Sequence, residues 1–167
     1  LRKPAAAETI AKGRPATQMA AFSPALSKAE IDALVAYIYS PPATKPVWTE
    51  ADIRASRVVH RTRDSLPDKP SFTADPLNLF VVVEAGDHHA SVLDGDRFER
   101  LARFPTRYAL HGGPKFSPDG RYVYFASRDG WISKYDLWNL KMVAEVRAGI
   151  NTRNAAVSGD GKWVMVA

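Results

Sequence analysis

The chain has 167 residues, with 23 Lys+Arg against 18 Asp+Glu and a formal net charge of +5, a length that holds one to two domains. With 46% hydrophobic and 25% charged residues it has the composition of folded globular protein, which excludes a disordered or fibrous chain, and no apolar run approaches the roughly 18–20 residues of a membrane-spanning helix. Cysteine is absent, which removes disulfides, thiolate metal cages, a Cys nucleophile and a C-x-x-C-H haem anchor; the basic residues are interspersed with acids, so they read as a solvated surface and not as a nucleic-acid footprint.

Composition divides the chain into an Ala-rich stretch at 1–40, a Pro-rich charged stretch at 41–71, and strands with turns at 72–167. No initiator Met, no signal-peptide pattern and no regular element is expected at Leu1, and the chain stops inside the alternating run Lys162-Trp163-Val164-Met165-Val166-Ala167. The sequence therefore reads as an internal piece of a longer protein. In the first stretch Gly13, Pro15 and Thr17 interrupt regular structure and place Met19 on a loop. A thioether on such a loop is a soft ligand suited to haem iron, although on the residues alone an ordinary core or surface methionine is the commoner reading. Ser27-Lys28-Ala29-Glu30 is a capping box. Ile31, Leu34, Val35 and Ile38 follow at helical spacing, and Pro41-Pro42 close the helix.

The middle stretch is held extended by its prolines, with a short helix predicted from Thr49 as cap through Ile53. Its apolar members, Trp48, Ile53, Val58 and Val59, predict a linker lying on a surface. Beyond it the strands Leu79–Val83, Ala90–Asp94, 121–127, 131–138, 142–146 and 163–166 alternate with Gly/Asp turns. The two Ser-x-Asp-Gly turns at Ser117 and Ser158 lie 41 positions apart. A period near 40–45 with several short strands per unit is the pattern of propeller blades, here two blades and the start of a third. So few blades cannot close a ring and would leave sheet edges unpaired, so further blades are expected from other sequence or from a partner.

The adjacent His88 and His89 sit at a strand-joining turn and read as an exposed hairpin tip in preference to a metal site. His60, in the linker, is uninformative. His111 opens a blade strand in Tyr108-Ala109-Leu110-His111-Gly112-Gly113-Pro114, where two glycines leave room for a flat ligand against the backbone. Imidazole there suits either haem iron or a structural hydrogen bond. Arg128 and Arg153, at blade turns, offer the two-donor fork that matches carboxylates, with surface pairing to a neighbouring Asp as the alternative for Arg128. No catalytic triad, phosphate loop or His-Glu-x-x-His helix is present.

Taken in order, Gly13–Phe22 and Leu26–Ile38, the Trp48–Ser56 linker, Val92-Leu93-Asp94-Gly95-Asp96, Tyr108–His111, Ser117–Tyr122, Arg128-Asp129-Gly130 and Tyr135–Trp138 resemble the cytochrome cd nitrite reductase family. This family includes a paralogue that acts as a dihydro-haem d1 dehydrogenase in haem d1 biosynthesis. The resemblance implies a mixed fold: the C-terminal part of an all-α class I cytochrome c domain at 1–40, an interdomain linker at 41–71, and the first blades of a haem d1-binding β-propeller at 72–167. It implies His111 as proximal ligand of haem d1 iron, Arg128 and Arg153 facing the haem d1 carboxylates, and Met19 as ligand of haem c iron.

Gly112–Phe116 and Asn151–Asn154 look like the biosynthetic paralogue. That member oxidises a propionate of dihydro-haem d1 to acrylate, passes electrons to haem c, and works in the periplasm with an electron-transfer protein and with nitrite reductase as recipient of the product. Nitrite reduction at the same cofactor and a non-enzymatic haem d1-binding propeller are the alternatives. The catalytic residues on the distal face are expected outside these residues.

Overall fold

The computed structural model describes residues 2–167. The chain divides into two units between Pro46 and Val47. The first contains α1 (Lys3–Lys12) and α2 (Lys28–Ile38), packed on each other. Helix α1 corrects the expectation of no regular element at the start of the chain. Pro4 lies in the first turn, where a missing N–H costs nothing, and Ala5-Ala6-Ala7 are strong helix formers. Gly13 ends α1 at φ 67°. Helix α2 begins with the expected capping box: Ser27 accepts from the Glu30 amide and the Glu30 carboxylate accepts from the Ser27 amide. Of its apolar stripe Ile31 and Val35 are buried, whereas Leu34 and Ile38 are exposed.

The second unit is mostly β. It opens with α3 (Glu50–Ala55), capped by Thr49 and Asp52 as a second capping box, and then β1 (Val58–Val59). Residues around Trp48 and Val58 pack against the sheet that follows. Trp48 Nε1 donates to the Arg147 carbonyl at 3.0 Å, and β1 pairs antiparallel with β8 (Lys141–Arg147).

Three strands, β2 (Leu79–Glu84), β3 (His89–Asp94) and β4 (Arg100–Pro105), form one antiparallel sheet. A second sheet runs β1-β8-β7-β6-β5, with β5 at Leu110–Phe116, β6 at Tyr122–Ser127 and β7 at Trp131–Asp136. A hairpin of β9 (Ala155–Val157) and β10 (Val164–Val166) begins a third. The chain thus repeats β2-β3-β4 as β6-β7-β8 and β5-β6 as β9-β10, a partial propeller-like array.

Its two larger sheets meet through Ala90, Val92, Phe104, Val123, Phe125, Tyr135 and Leu137. The Phe104 and Tyr135 rings stack at 3.9 Å, and Phe125 meets Phe104 edge-on at 6.0 Å. Such pairs add about 0.5–1.5 kcal/mol each beyond the area they bury.

Two clusters around buried charged side chains tie His60, Pro67 and Asp68 to this array. Arg121, 2% exposed, reaches Asp136, which is fully buried, and also bonds Asp68 and the Pro67 carbonyl. Glu145 accepts two bonds from Arg107 at 2.8 Å each, one from His60 at 3.0 Å and one from Ser133 at 2.9 Å. Burial alone would push the Glu145 carboxyl up, but the bonds from Arg107, His60 and Ser133 outweigh it and hold it below its ordinary value. Arg107 also lies over the Trp131 ring at 3.8 Å, so the loop that leads into β5 is pinned from two sides.

Candidate tetrapyrrole site

His111 stands at the start of β5, paired with Ala126 of β6. The register slips between His111 and Lys115, and the two residues that absorb the slip, Gly112 and Gly113, take φ 81° and 71°. A side chain is strained in that region. Gly112 is required for a second reason: a Cβ there would stand 2.5 Å from Asn154 Oδ1 and 2.7 Å from the Arg153 carbonyl oxygen. The 151–154 loop therefore lies flat on the Gly112 backbone. At Gly113 a Cβ would meet nothing closer than Lys115 Nζ at 3.9 Å, so that face is open. Lys115 Nζ in turn donates to the Gly112 carbonyl at 2.6 Å and holds the bulge.

This close approach decides the chemistry of His111. Its Nδ1–H donates to the Arg153 carbonyl at 2.7 Å, which fixes the ring orientation and leaves the Nε2 lone pair available to a metal. The acceptor is itself held. Thr152, 2% exposed, donates through its hydroxyl to the Ser127 carbonyl at 2.7 Å, and the Arg153 amide donates to the Ala167 carbonyl at 2.6 Å. Val83, Leu110, Pro114, Phe125 and Ala126 join His111 around a cavity of about 210 Å³. Apart from His111, its walls are apolar.

A cavity of about 490 Å³ opens beside Ala102, Tyr135, Met142, Arg107 and His60. There Arg107 and His60 are both engaged by Glu145, so neither is free for a ligand in the way His111 is.

Arg128 and Arg153 are both exposed, and neither guanidinium forms an ion pair among the described residues. The neighbouring carboxylate that could have paired with Arg128 is occupied otherwise, because Asp129 Oδ1 accepts from the Ser127 hydroxyl at 2.5 Å. The Arg128 amide donates to the Ala109 carbonyl at 3.1 Å, two residues before His111. The structure thus brings His111, the Arg153 backbone and the Arg128 turn together.

Met19 belongs to the first unit. It is half-buried on a loop, its carbonyl accepts from the Arg14 amide at 3.0 Å, and a Cβ at Gly13 would stand 2.5 Å from that carbonyl. His88 and His89 are half-buried and not an exposed tip: His88 packs on Tyr108 with ring centroids 5.1 Å apart, and His89 Nδ1 donates to the Asp87 carbonyl at 2.8 Å. Among the described residues no group of three His, Cys, Asp or Glu could hold a metal ion.

Sequence reasoning missed Thr152, Asn154 and Lys115, which set the His111 geometry. The one signal that could have pointed to the loop is its run of side-chain hydrogen-bonding residues, Asn151 to Asn154, opposite a Gly-Gly pair.

These residues sit on a partial propeller-like array of antiparallel sheets, and the chain belongs to the cytochrome D1 heme domain family, which matches residues 74–167. It is 68% identical over 165 residues, 98% of its length, to a dihydro-heme d1 dehydrogenase of Pseudomonas aeruginosa, of which it covers 34%. A nitrite reductase of Stutzerimonas stutzeri is 29% identical over 84% of the chain and 25% of that relative. A solved structure, the dihydro-heme d1 dehydrogenase NirN in complex with DHE, superimposes with a TM-score of 0.82 at 66% identity, covering 99% of this chain and 36% of that one. The chain therefore spans about a third of the dehydrogenase it matches.

Proposed function

We propose that this chain supplies the proximal side of a tetrapyrrole site in a periplasmic oxidoreductase that dehydrogenates dihydro-haem d1 to haem d1. The observation that carries this reading is the His111 ring, its Nδ1–H tied to the Arg153 carbonyl and its Nε2 left available. The residues fit the group: an imidazole for the iron, an apolar cleft against Gly113 for one edge of the macrocycle, and Arg128 and Arg153 for its carboxylates. The 68% identity to a dihydro-heme d1 dehydrogenase supports this activity over nitrite reduction, which rests on 29%.

Conversion of a propionate to an acrylate releases two protons and two electrons. His111 holds the substrate by its iron, Arg128 and Arg153 orient and neutralise its carboxylates, and the apolar wall excludes water on the proximal side. The bound iron tetrapyrrole supplies the conjugated system into which the new double bond extends. The proton acceptor on the distal face lies outside these residues.

The first unit is proposed as the C-terminal part of a class I cytochrome c domain, with residues 41–71 as linker and 72–167 as the first propeller blades. The Met19 loop, closed by Gly13 and followed by the capped α2, is suited to present a thioether to haem c iron, the route by which electrons leave to a periplasmic acceptor protein. The 167 residues hold no cysteine and so carry none of the thioether anchors. Nitrite reductase is the proposed recipient of finished haem d1.

The test is His111→Ala in the full-length protein. Titration with dihydro-haem d1 should show binding weakened by at least tenfold and an altered red absorption band, as loss of an iron ligand requires. Binding with unchanged affinity and spectrum overturns the assignment.

A further inference from the structure

Two side chains beside His111 have no role in the site described above. His88 and Ala109 both adopt positive φ, 59° and 46°. Ala has no polar side chain to make that region favourable, and strained residues of this kind persist where the surroundings over-determine them, often at ligand clamps.

Here the two are knotted together. The Ala109 amide donates to His88 Nδ1 at 3.4 Å, the Thr106 amide donates to the His88 carbonyl at 2.7 Å, and the Arg128 amide donates to the Ala109 carbonyl. With Nδ1 accepting, the ring proton of His88 sits on Nε2, and Nε2 has no hydrogen-bond partner among the described residues. The imidazole rests against Tyr108, which is 60% exposed and whose hydroxyl likewise has none. Tyr108 precedes His111 by three positions, at most about 10 Å of extended chain. A fixed N–H donor and a hydroxyl thus stand on the chain turn that the Arg128 amide bonds through Ala109, just before His111, with no protein acceptor engaged among the described residues.

Resting on the tetrapyrrole reading above, we propose that His88 Nε2–H and the Tyr108 hydroxyl bind one carboxylate arm of the tetrapyrrole, adjacent to the arm held by Arg128. An uncharged pair of donors recognises a carboxylate without a third guanidinium, and the strained turn is what aims it.

The experiment uses the full-length protein and two variants that respect the local geometry: His88→Asn, since Asn tolerates positive φ, and Tyr108→Phe, which removes one hydroxyl. Absorption titration with dihydro-haem d1 should show affinity reduced about tenfold or more for His88→Asn, the scale of a hydrogen bond to a charged group, and less for Tyr108→Phe. With ¹³C in the ligand carboxylates, infrared difference spectra of both complexes should show one carboxylate band displaced. Unchanged affinity in both variants, or reduced affinity with every carboxylate band in place, overturns the proposal.

His111→Ala is titrated alongside. If it loses the iron-linked band while His88→Asn behaves as wild type, the carboxylate contact is wrong and the tetrapyrrole reading stands. If His111→Ala keeps that band, the reading itself fails and takes this contact with it.

Discussion

Gly112→Ala and Gly113→Ala form a matched pair, because both glycines have positive φ yet only one is enclosed. Forcing Ala into the left-handed region costs about 1–2 kcal/mol, and this applies to both. At Gly112 the new methyl would stand 2.5 Å from Asn154 Oδ1 and 2.7 Å from the Arg153 carbonyl. The side-chain amide of Asn154 can turn away, but the carbonyl is backbone, held by the Arg153 and Asn154 amides on Ala167 and by Thr152 on Ser127. Relieving such overpacking adds about 1–3 kcal/mol, so Gly112→Ala should destabilise by about 2–5 kcal/mol and Gly113→Ala by about 1–2 kcal/mol.

The carbonyl that must move is the acceptor of His111 Nδ1–H. With His111 as the proposed iron ligand, loss of the bond that orients it should weaken tetrapyrrole affinity about 10–100-fold. Urea unfolding of the haem-free full-length protein and titration with dihydro-haem d1 measure the two effects separately. Equal stability and equal affinity in the two variants would refute the claim that the Arg153 carbonyl is pressed onto Gly112 to orient the ligand.

Arg128→Ala and Arg153→Ala should each weaken tetrapyrrole binding without lowering the unfolding midpoint, because neither guanidinium has an ion-pair partner among the described residues; a salt titration should show a smaller ionic-strength dependence in each variant. Arg121→Ala should instead destabilise by about 3–5 kcal/mol in chemical denaturation, since it strands the fully buried Asp136 without its cation. For Glu145 the carboxyl is held below its ordinary 4.5 in the folded state. Its contribution to stability is therefore complete above about pH 4.5 and lost as pH falls through the lower folded value, because the unfolded chain takes up the proton first. Glu145→Gln should flatten that part of an acid-unfolding curve, and an unaltered curve would show that Glu145 does not drive it.

The sequence by itself determined the elements whose causes are local. Ser27 with Glu30 and Thr49 with Asp52 are reciprocal caps three residues apart, and the β-branched runs are bounded by Gly/Asp turns, two of which lie 41 positions apart; caps and turns are read within a few residues. Helix α1 was missed because Pro4 reads as a breaker unless the first turn is recognised. Strand β4 was missed because Arg100 and Arg103 interrupt the apolar alternation, although Phe104 is the ring that stacks on Tyr135.

His111, Arg128 and Arg153 were visible as residue types at blade turns, but their relation was not. His111 reaches its acceptor across 42 positions and His60 reaches Glu145 across 85. Only the packing of one blade against the next lays the 151–154 loop on Gly112, turning an imidazole of undecided role into one with a fixed proton and an available lone pair. Contacts of that range depend on how sheets stack, and residue spacing within a single strand carries no record of it.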